Sequence, residues 1–528
     1  MRKSRAKRPL PTIPSNTYVD FSQLLREQLL ADPSRKAGYL SEVFESKLVD
    51  GGASAPPDVR RDRAIDKWLG REVVNRDTNC RLMLANEEDF LFLDSSGFPV
   101  SARDVIDWCK QQISRLLGDE IPWDRLKGLF SGGASTSVKR GVGTVPRKYQ
   151  DGTNITESAK MAYMTIASMA DGLPHELTIV EGNVMFTVPK TAEIDRVACK
   201  EPELNMYCQR AVGEYLRSVL RKKGVDLDDQ SVNQGLARTG SVDGSLATID
   251  LSSASDSVTT QIVTELFPFE WTTLLMDLRS PFTFVRGEWH RNEMIASMGN
   301  GFTFELESFI FWILVRACSY FTRVHGRINV YGDDIICPVG LRDSVEATLS
   351  FFGFTVNPEK SFWAGTFRES CGKHYDLGVD ISPFYVKETP KTVPDWIHVL
   401  NSLRKWADLG GICDPTYYDL WALFSELIPI SLHGSRDLAR KDALVRPYMR
   451  NVAVVRPLVK VDDKLKAKYQ AGAYAQWLDA TELRSPQVDI LPATEQFSFE
   501  GELVVRRTGR RIDAWHRDVP VFPQECGE

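Results

Sequence analysis

The chain of 528 residues has no long hydrophobic run. Its most apolar stretch, Phe309 to Val315, is closed by Arg316 and is too short to span a bilayer, so it reads as a buried helix and no membrane partner is expected. A secretory leader is missing as well. Arg2, Lys3, Arg5, Lys7 and Arg8 crowd the start without an apolar core behind them, which makes this stretch a basic arm. There is no global basic field: the net charge is −6 and the isoelectric point about 5.8. A polyanion, if bound, must therefore meet a local groove or face. The nine cysteines are odd in number and contain no C-x-x-C pair, which argues against a disulfide framework or a zinc module and for reduced thiols in a cytoplasm. Cys199 and Cys208 read as small buried side chains. Repeats and low-complexity tracts are absent. The Gly/Ser-rich stretch Ser131 to Val145 lacks the Gly-Lys-Ser/Thr ending of a P-loop, and Gly141-x-Gly143 lacks the third glycine of a dinucleotide fingerprint. That stretch remains open between a loop near a phosphate backbone and a plain connector.

What is present is ordinary in composition, with 43% hydrophobic and 26% charged residues, and long enough for several subdomains around a large core. Asp50 to Pro57 reads as a loop after a helical N-terminal stretch. Asn154-x-x-Glu157 is a cap candidate for a helix running towards Asp171-Gly172. A basic helix carries Arg210, Arg217, Arg221, Lys222 and Lys223. Phe304 to Phe321 reads as an apolar helix, and Asp395 to Leu409 as a helix with Trp396, Val399, Leu400, Leu403 and Trp406 at core spacing. Phe497 to Val505 looks like strand before the basic turn Arg506 to Arg511. Helices and short strands interleave irregularly, which favours an α+β architecture over a doubly wound sheet.

The richest feature is Tyr331-Gly332-Asp333-Asp334, set between Arg327-Ile-Asn-Val330 and Ile335-Ile-Cys-Pro-Val339. This is strand, tight turn, strand, and the turn throws adjacent carboxylates to a hairpin tip, where they repel unless a cation lies between them. Ser245 to Asp250 reads as a second strand ending in a carboxylate. Transfer of a nucleotide to a hydroxyl uses two cations ~3.5–4 Å apart, held by carboxylates from separate segments. Asp250, Asp333 and Asp334 are the oxygen ligands that magnesium prefers. Lys190, Arg196 and Lys200, in one short segment, suit a triphosphate clamp, although a solvated charged face would look the same. Ser297-Met-Gly299-Asn300-Gly-Phe-Thr303 places glycines and small polar side chains ahead of the apolar helix, suited to close approach of a sugar or template. A ligand-free helix start is the plain alternative.

In this order, the pieces resemble the RNA-directed RNA polymerases of positive-strand RNA viruses, and most closely the replicase catalytic subunits of the small RNA bacteriophages, the levivirus group. Five stretches carry the resemblance: Asp250-Leu-Ser-Ser-Ala-Ser-Asp256-Ser257; Ser297 through Ser308; the Tyr331 to Asp334 turn; Gly353-Phe-Thr-Val-Asn-Pro-Glu-Lys360-Ser361; and Phe367 through Lys373. They cover roughly Pro189 to Lys387. The resemblance implies a right-hand polymerase fold. Residues 1–240 would be the N-terminal region and fingers, 241–390 a palm with an antiparallel sheet and a fingers insertion near 270–300, and 391–528 a helical thumb with the C-terminal region. Carried over position by position, Asp250 and Asp333 would hold two magnesium ions, with manganese as a substitute, assisted by Asp334 and the Leu251 carbonyl. Lys190, Arg196 and Lys200 would grip the ribonucleoside triphosphate, Asp256 would sense the ribose, and Lys360 would protonate departing pyrophosphate. Ser297, Gly299, Asn300 and Thr303 would line the nucleotide site. One departure stands out: Glu307 occupies the position where the wider viral pattern has asparagine. The family further implies initiation without a primer at a C-rich 3′ end, template and product RNA as ligands, and action in the cytoplasm of an infected bacterium. Its expected partners are host elongation factors Tu and Ts and a ribosomal RNA-binding protein.

Two rivals were weighed. A reverse transcriptase shares the carboxylates, but usually carries alanine or methionine at the Gly332 position and a bulky aromatic near that of Asp256. A non-catalytic RNA-binding scaffold with a relic palm should have lost a metal carboxylate, and none is missing.

Overall fold

In the computed structural model the described residues are 13–434, with short breaks at 15, 52–53, 171–172, 175 and 411–412, together with 443–445 and two short strands, Phe497–Phe499 and Leu503–Val505. The basic arm at Met1 to Leu10 and the turn Arg506 to Arg511 lie outside them. No helix among the described residues is long and apolar enough to cross a membrane.

The apolar run anticipated around Phe309 is the helix Thr303–Thr322. It is apolar all round because it is surrounded: Leu306, Phe309, Ile310, Phe311, Ile313 and Leu314 are all at most 1% exposed. Helices Ala102–Leu117, Glu203–Lys222 and Arg342–Phe351 pack about it. On its remaining side lies a three-stranded antiparallel sheet in the order Asn329–Tyr331, Asp334–Pro338, Leu246–Ile249. The sheet register sets Ile335 against Ile249 and Tyr331 against Asp334, so the ends of two strands and the hairpin tip meet at one edge.

A second sheet has four strands in the order Glu288–Arg291, Phe282–Val285, Gly182–Pro189, Asp195–Lys200. Its inner face packs on the 27-residue helix Pro57–Met83. Buried Arg60 pairs with Asp195 at 3.2 Å, and Trp68 meets His290 edge-on at 5.4 Å. The turn joining the outer two strands holds Arg286 at φ +51° and Gly287 at φ +89°, the two left-handed residues of a tight hairpin that suits strand twist.

A separate core joins the beginning and end of this region. Helices Thr17–Ala31 and Arg35–Val43 pack with Val393–Trp406 and Pro415–Ser425. Phe21 stands edge-on to Trp396 at 5.6 Å and to Phe424 at 5.1 Å, while Trp396 and Phe424 stack at 5.6 Å. Burying each ring contributes about 2–3 kcal/mol. Segments that sequence order assigns to opposite regions therefore share one hydrophobic cluster. The core spacing expected for Trp396 to Trp406 is observed, with all five residues buried.

One local expectation is overturned. Asn154 does not cap a helix: Asn154–Ile155 is a strand paired in parallel with Thr178–Ile179, and the following helix starts at Lys160 without a side-chain cap. Tertiary partners outcompete the local one. The Asn154 backbone N–H donates to Glu203 at 3.2 Å and its side-chain amide to Thr136 at 2.9 Å. The Ser131 to Val145 stretch is likewise tied down, with the Ser137 N–H and hydroxyl both donating to Glu203 at 2.8 Å.

Candidate active site

Asp250 sits where one strand ends and another begins. Leu246–Ile249 belongs to the three-stranded sheet, whereas Leu251–Ser252 pairs with Thr355–Val356, so the carboxylate projects from the seam between two sheets. The turn after Val356 fixes it there. Asn357 donates its backbone N–H to the Asp250 carbonyl at 2.9 Å and its side-chain amide to Oδ2 at 3.1 Å. The Asp250 N–H in turn donates to Ser361 Oγ at 3.1 Å. Lys360, exposed, lies inside this same turn, and its charge reaches Lys190 and Glu369, which the Asp250 charge also reaches. The Leu251 carbonyl follows Asp250 directly along the chain.

The hairpin tip is shaped by Gly332, at φ +62°. A Cβ there would come within 2.7 Å of the Phe304 ring, and its N–H donates to Ser308 Oγ at 2.9 Å. Both contacts come from the buried helix, which pins the tip against the first turns of that helix. Asp333 is exposed at the tip, yet partial desolvation in the cleft together with the Asp250 charge pushes its carboxyl above the ordinary aspartate value, while Arg196 and Lys190 pull the other way. Asp334 is pushed to about 7 by burial and by Asp333. Its carboxylate turns to Ser370 Oγ at 3.2 Å and to the Cys371 N–H, and its carbonyl accepts from Asn233 Nδ2 at 3.1 Å.

These placements test the fit of divalent cations. All the donors are oxygens, and Asp333 is destabilised as an anion by a second carboxylate in a desolvated site, which a cation would relieve. Among the described residues no three acidic, cysteine or histidine side chains already stand together at metal-ligand spacing. Asp334 spends its carboxylate on Ser370. The donor set thus suits a hard cation that takes one or two carboxylates and completes its shell with substrate phosphates and water, as magnesium does.

Lys190 and Arg196 face these carboxylates, with Lys67 and Lys360 close to Lys190. Partial burial and the neighbouring Arg196, Lys67 and Lys360 hold the Lys190 ammonium below the ordinary lysine value, with Asp250 opposing. Lys67, from the long N-terminal helix, was not foreseen; one lysine among many charges on an exposed helix carries no local signal. Lys200 lies on the same strand face as Arg196, with Nζ 5.7 Å from the centre of the Phe186 ring.

Asp256 ends a strained loop. Ser253 is left-handed at φ +55°, and Ser257 Oγ donates to its carbonyl at 2.7 Å. The Asp256 carbonyl accepts from Asn75 Nδ2 at 2.7 Å. Burial and Glu72 raise its carboxyl to about 6, against the attraction of Arg71, Lys67 and Arg196. Glu72 itself is buried and accepts the backbone N–H groups of Glu293 at 2.7 Å and Met294 at 3.2 Å. Glu307 is the other buried acid beneath the site. It accepts from Ser255 Oγ at 2.6 Å, and burial, with Asp333 and Asp256 nearby, raises it to about 8.

The Ser297 to Thr303 loop is mostly self-engaged. Thr303 Oγ1 donates to the Ser297 carbonyl at 3.1 Å, and Asn300 Oδ1 accepts the Phe302 N–H at 2.9 Å. Ser297, Asn300 and Thr303 are all buried, and the Asn300 amide nitrogen is left without a partner, the one orphaned donor in this loop. Gly299 meets the chain's own backbone: at φ +118° its Cβ would lie 2.1 Å from the Cys199 carbonyl oxygen. Its absence lets the Cys199 N–H bond the Met298 carbonyl at 2.8 Å, docking the loop on the strand that carries Arg196 and Lys200. Of the residues expected from sequence, the structure brings Asp250, Asp333, Asp334, Lys190, Arg196, Asp256 and Lys360 around one cleft. Asn357, Ser361, Ser370, Glu72 and Lys67 are additions. Asn357, Ser361 and Ser370 lie within recognised stretches, whereas Glu72 and Lys67 act from a helix distant in sequence.

The family model described as RNA replicase, beta-chain, matches residues 30–517. The RNA-directed RNA polymerase beta chain of Enterobacteria phage fr is 39% identical over 525 residues, covering 94% of this chain and 92% of the relative. That of Escherichia phage MS2 is 39% identical over 532 residues, with the same coverage of 94% and 92%. The corresponding beta subunit of Escherichia virus Qbeta is 36% identical over 428 residues, 78% of this chain and 71% of the relative. Among solved structures, the in situ RNA-dependent RNA polymerase of BmCPV in its elongation state superposes with a TM-score of 0.39 at 11% identity, over 65% of this chain and 35% of that one.

Proposed function

This chain belongs to the RNA replicase beta-chain family and is an RNA-directed RNA polymerase, and from that premise we propose that it copies a positive-strand RNA phage genome by two-metal-ion nucleotidyl transfer. One observation supports the reading above others: Asp250 and Asp333 crowd one sheet edge, with Lys190 and Arg196 facing them and Lys360 close to Lys190. Asp250 and Asp333, with the Leu251 carbonyl and Asp334, would hold two magnesium ions, manganese being the alternative, whose chemistry when bound is to activate the attacking 3′-hydroxyl and neutralise departing pyrophosphate.

The chain's own groups do the rest. Lys190, Arg196 and Lys200, joined by Lys67, grip the triphosphate by charge-assisted hydrogen bonds. Lys360 hands a proton to the leaving pyrophosphate oxygen, from a turn that Asn357 and Ser361 tie to Asp250. Asp256 accepts from the ribose hydroxyls, and Asn300 has an unpartnered amide to offer. Ser297, Gly299 and Thr303 shape the loop that presents it.

By family resemblance, initiation needs no primer and begins at a C-rich 3′ end. The working complex contains elongation factors Tu and Ts and a ribosomal RNA-binding protein, in the cytoplasm of the infected bacterium. The test is incorporation of labelled ribonucleotides on a synthetic RNA, with and without bacterial extract, across a magnesium titration. Template-dependent product that requires the divalent ion is expected. Product that persists in excess chelator would overturn the metal-dependent reading, and activity undiminished without extract would overturn the dependence on host partners.

A further inference from the structure

The four-stranded sheet has two unlike faces. Towards the helix Pro57–Met83 it turns Asp195, Val197, Cys199, Thr283 and Val285, all buried. Alternation sends the other set outward. Directly paired residues share a face, so the register places Arg196, Ala198 and Lys200 beside Val188, Phe186 and Val184, then Phe284 beside Val184, and Trp289 beside Phe284. Phe186 and Phe284 are each 36% exposed and Trp289 is 44% exposed. Phe284 and Trp289 meet edge-on at 5.2 Å. Arg291, exposed, stands on this face opposite Phe282.

Three exposed rings interleaved with Arg196, Lys200 and Arg291 form a surface of a particular chemistry. Rings offer flat π-faces to bases, and guanidinium and ammonium groups offer charge to phosphates. A strand-facing platform of this kind suits unpaired nucleotides, whose bases are free to lie on rings, and not a duplex, whose bases are already stacked. The location narrows the ligand. At one end of the face Arg196 acts on the Asp333 and Asp256 carboxylates. From there the face leads away across three inter-strand steps of about 4.8 Å, a track of ~14 Å. During elongation one polynucleotide is single-stranded near that point: the template ahead of the templating base.

We propose that the outer face of this sheet, through Phe186, Phe284 and Trp289 with Lys200 and Arg291, is a stacking platform for the unread, single-stranded template RNA. The proposal rests on the polymerase reading for the identity of the strand. Phe186 and Lys200 sit nearest the catalytic end and take the first unread bases; Phe284 and Trp289 take those further out. Base stacking makes the platform tolerant of sequence, as a copying enzyme requires.

The test measures equilibrium binding of the full chain to an unstructured fluorescent oligoribonucleotide, with the F284A/W289A variant, F284Y/W289F, and L377S as an exposed apolar control on another surface. Thermal melting checks that each is folded. The expected result is a loss of about tenfold per ring for the alanine variant, retention in the aromatic one and no change in the control. K200Q and R291Q should each flatten the dependence of affinity on salt by about 0.7 in the log–log slope. A folded F284A/W289A that binds the oligomer like wild type would overturn the proposal and leave this face to a protein partner. Because the readout is binding, it stands apart from the polymerase reading, which fails if wild-type protein that binds RNA adds no nucleotides even with bacterial extract and magnesium.

Discussion

Two small sheets meet at the Ser297 to Thr303 loop, and they are built on opposite electrostatic plans. The three-stranded sheet gathers carboxylates at its edge, each held by hydrogen bonds to a neighbouring segment: Asp250 by Asn357 and Ser361, the hairpin tip by Ser308, Asp334 by Ser370. The four-stranded sheet spreads cations over an open face whose side chains are held by little beyond their own strands. The contrast suits the two tasks. Metal ligands must be placed to within a fraction of an ångström, and such a site needs a rigid support. Phosphates of a moving strand need charge within reach and no fixed partner, because a platform that grips too firmly would slow translocation. Like charges repel within each sheet. The acidic edge is therefore a strained arrangement until counter-charge arrives, and that is where substitution should have the largest consequences.

Asp333→Asn should abolish incorporation, by at least ~1,000-fold, since several kcal/mol of transition-state stabilisation depends on that ligand. In chelator the same variant should melt at or above the wild-type temperature, because partial desolvation and Asp250 disfavour the Asp333 anion. Substantial elongation at ordinary magnesium would break the contrast between the sheets. Lys360 comes next. Arginine keeps the charge but surrenders a proton far less readily, so single-turnover incorporation should slow by ~10–100-fold with nucleotide affinity near normal. If arginine matches wild type and only leucine fails, Lys360 is a phosphate counter-ion like those of the four-stranded sheet. Asp256→Asn should lower the preference for GTP over dGTP about tenfold, measured as the ratio of kcat/KM values. An unchanged ratio would hand ribose recognition to Asn300, whose amide nitrogen is unpartnered.

The two sheets also differ in how far sequence reveals them. The hairpin at Tyr331 to Asp334 and the strand before Asp250 are local objects: alternating or apolar runs bounded by a turn, with function at the boundary. The helix Thr303–Thr322 is legible for the same reason. The four-stranded sheet is assembled from two hairpins about ninety residues apart, joined by parallel pairing of Gly182 to Val184 with Phe282 to Phe284. Nothing local announces such a long-range pairing, and without it the exposed rings look like scattered hydrophobics. Glu72, Asn75 and Lys67 were hidden similarly, on a helix whose polar residues could all have been solvent-facing. Asn154 erred in the opposite direction, where a local cap pattern lost to tertiary partners.

Glu307 offers the most diagnostic effect. It lies beneath the acidic edge, hydrogen-bonded to Ser255 and facing Asp333, Asp256 and Glu305, and its carboxyl is raised to about 8 by burial first and those anions second. An ordinary glutamate, as in the unfolded chain, titrates near 4.3. The folded chain therefore binds this proton more tightly than the unfolded one. The stability associated with Glu307 is fully present below the unfolded value, falls as pH rises, and is gone once pH has passed the folded value. Glutamine mimics the protonated acid at every pH and can still accept from Ser255. In metal-free protein, Glu307→Gln should match wild type near pH 4 and become the more stable of the two towards pH 8, by on the order of 4–5 kcal/mol. Thermal or urea melts at several pH values measure the gap directly. Parallel curves for the two proteins would mean that Glu307 is already ionised in the folded state, with its charge carried by the cations facing the cleft. The acidic edge would then be no more strained than the basic face across the loop.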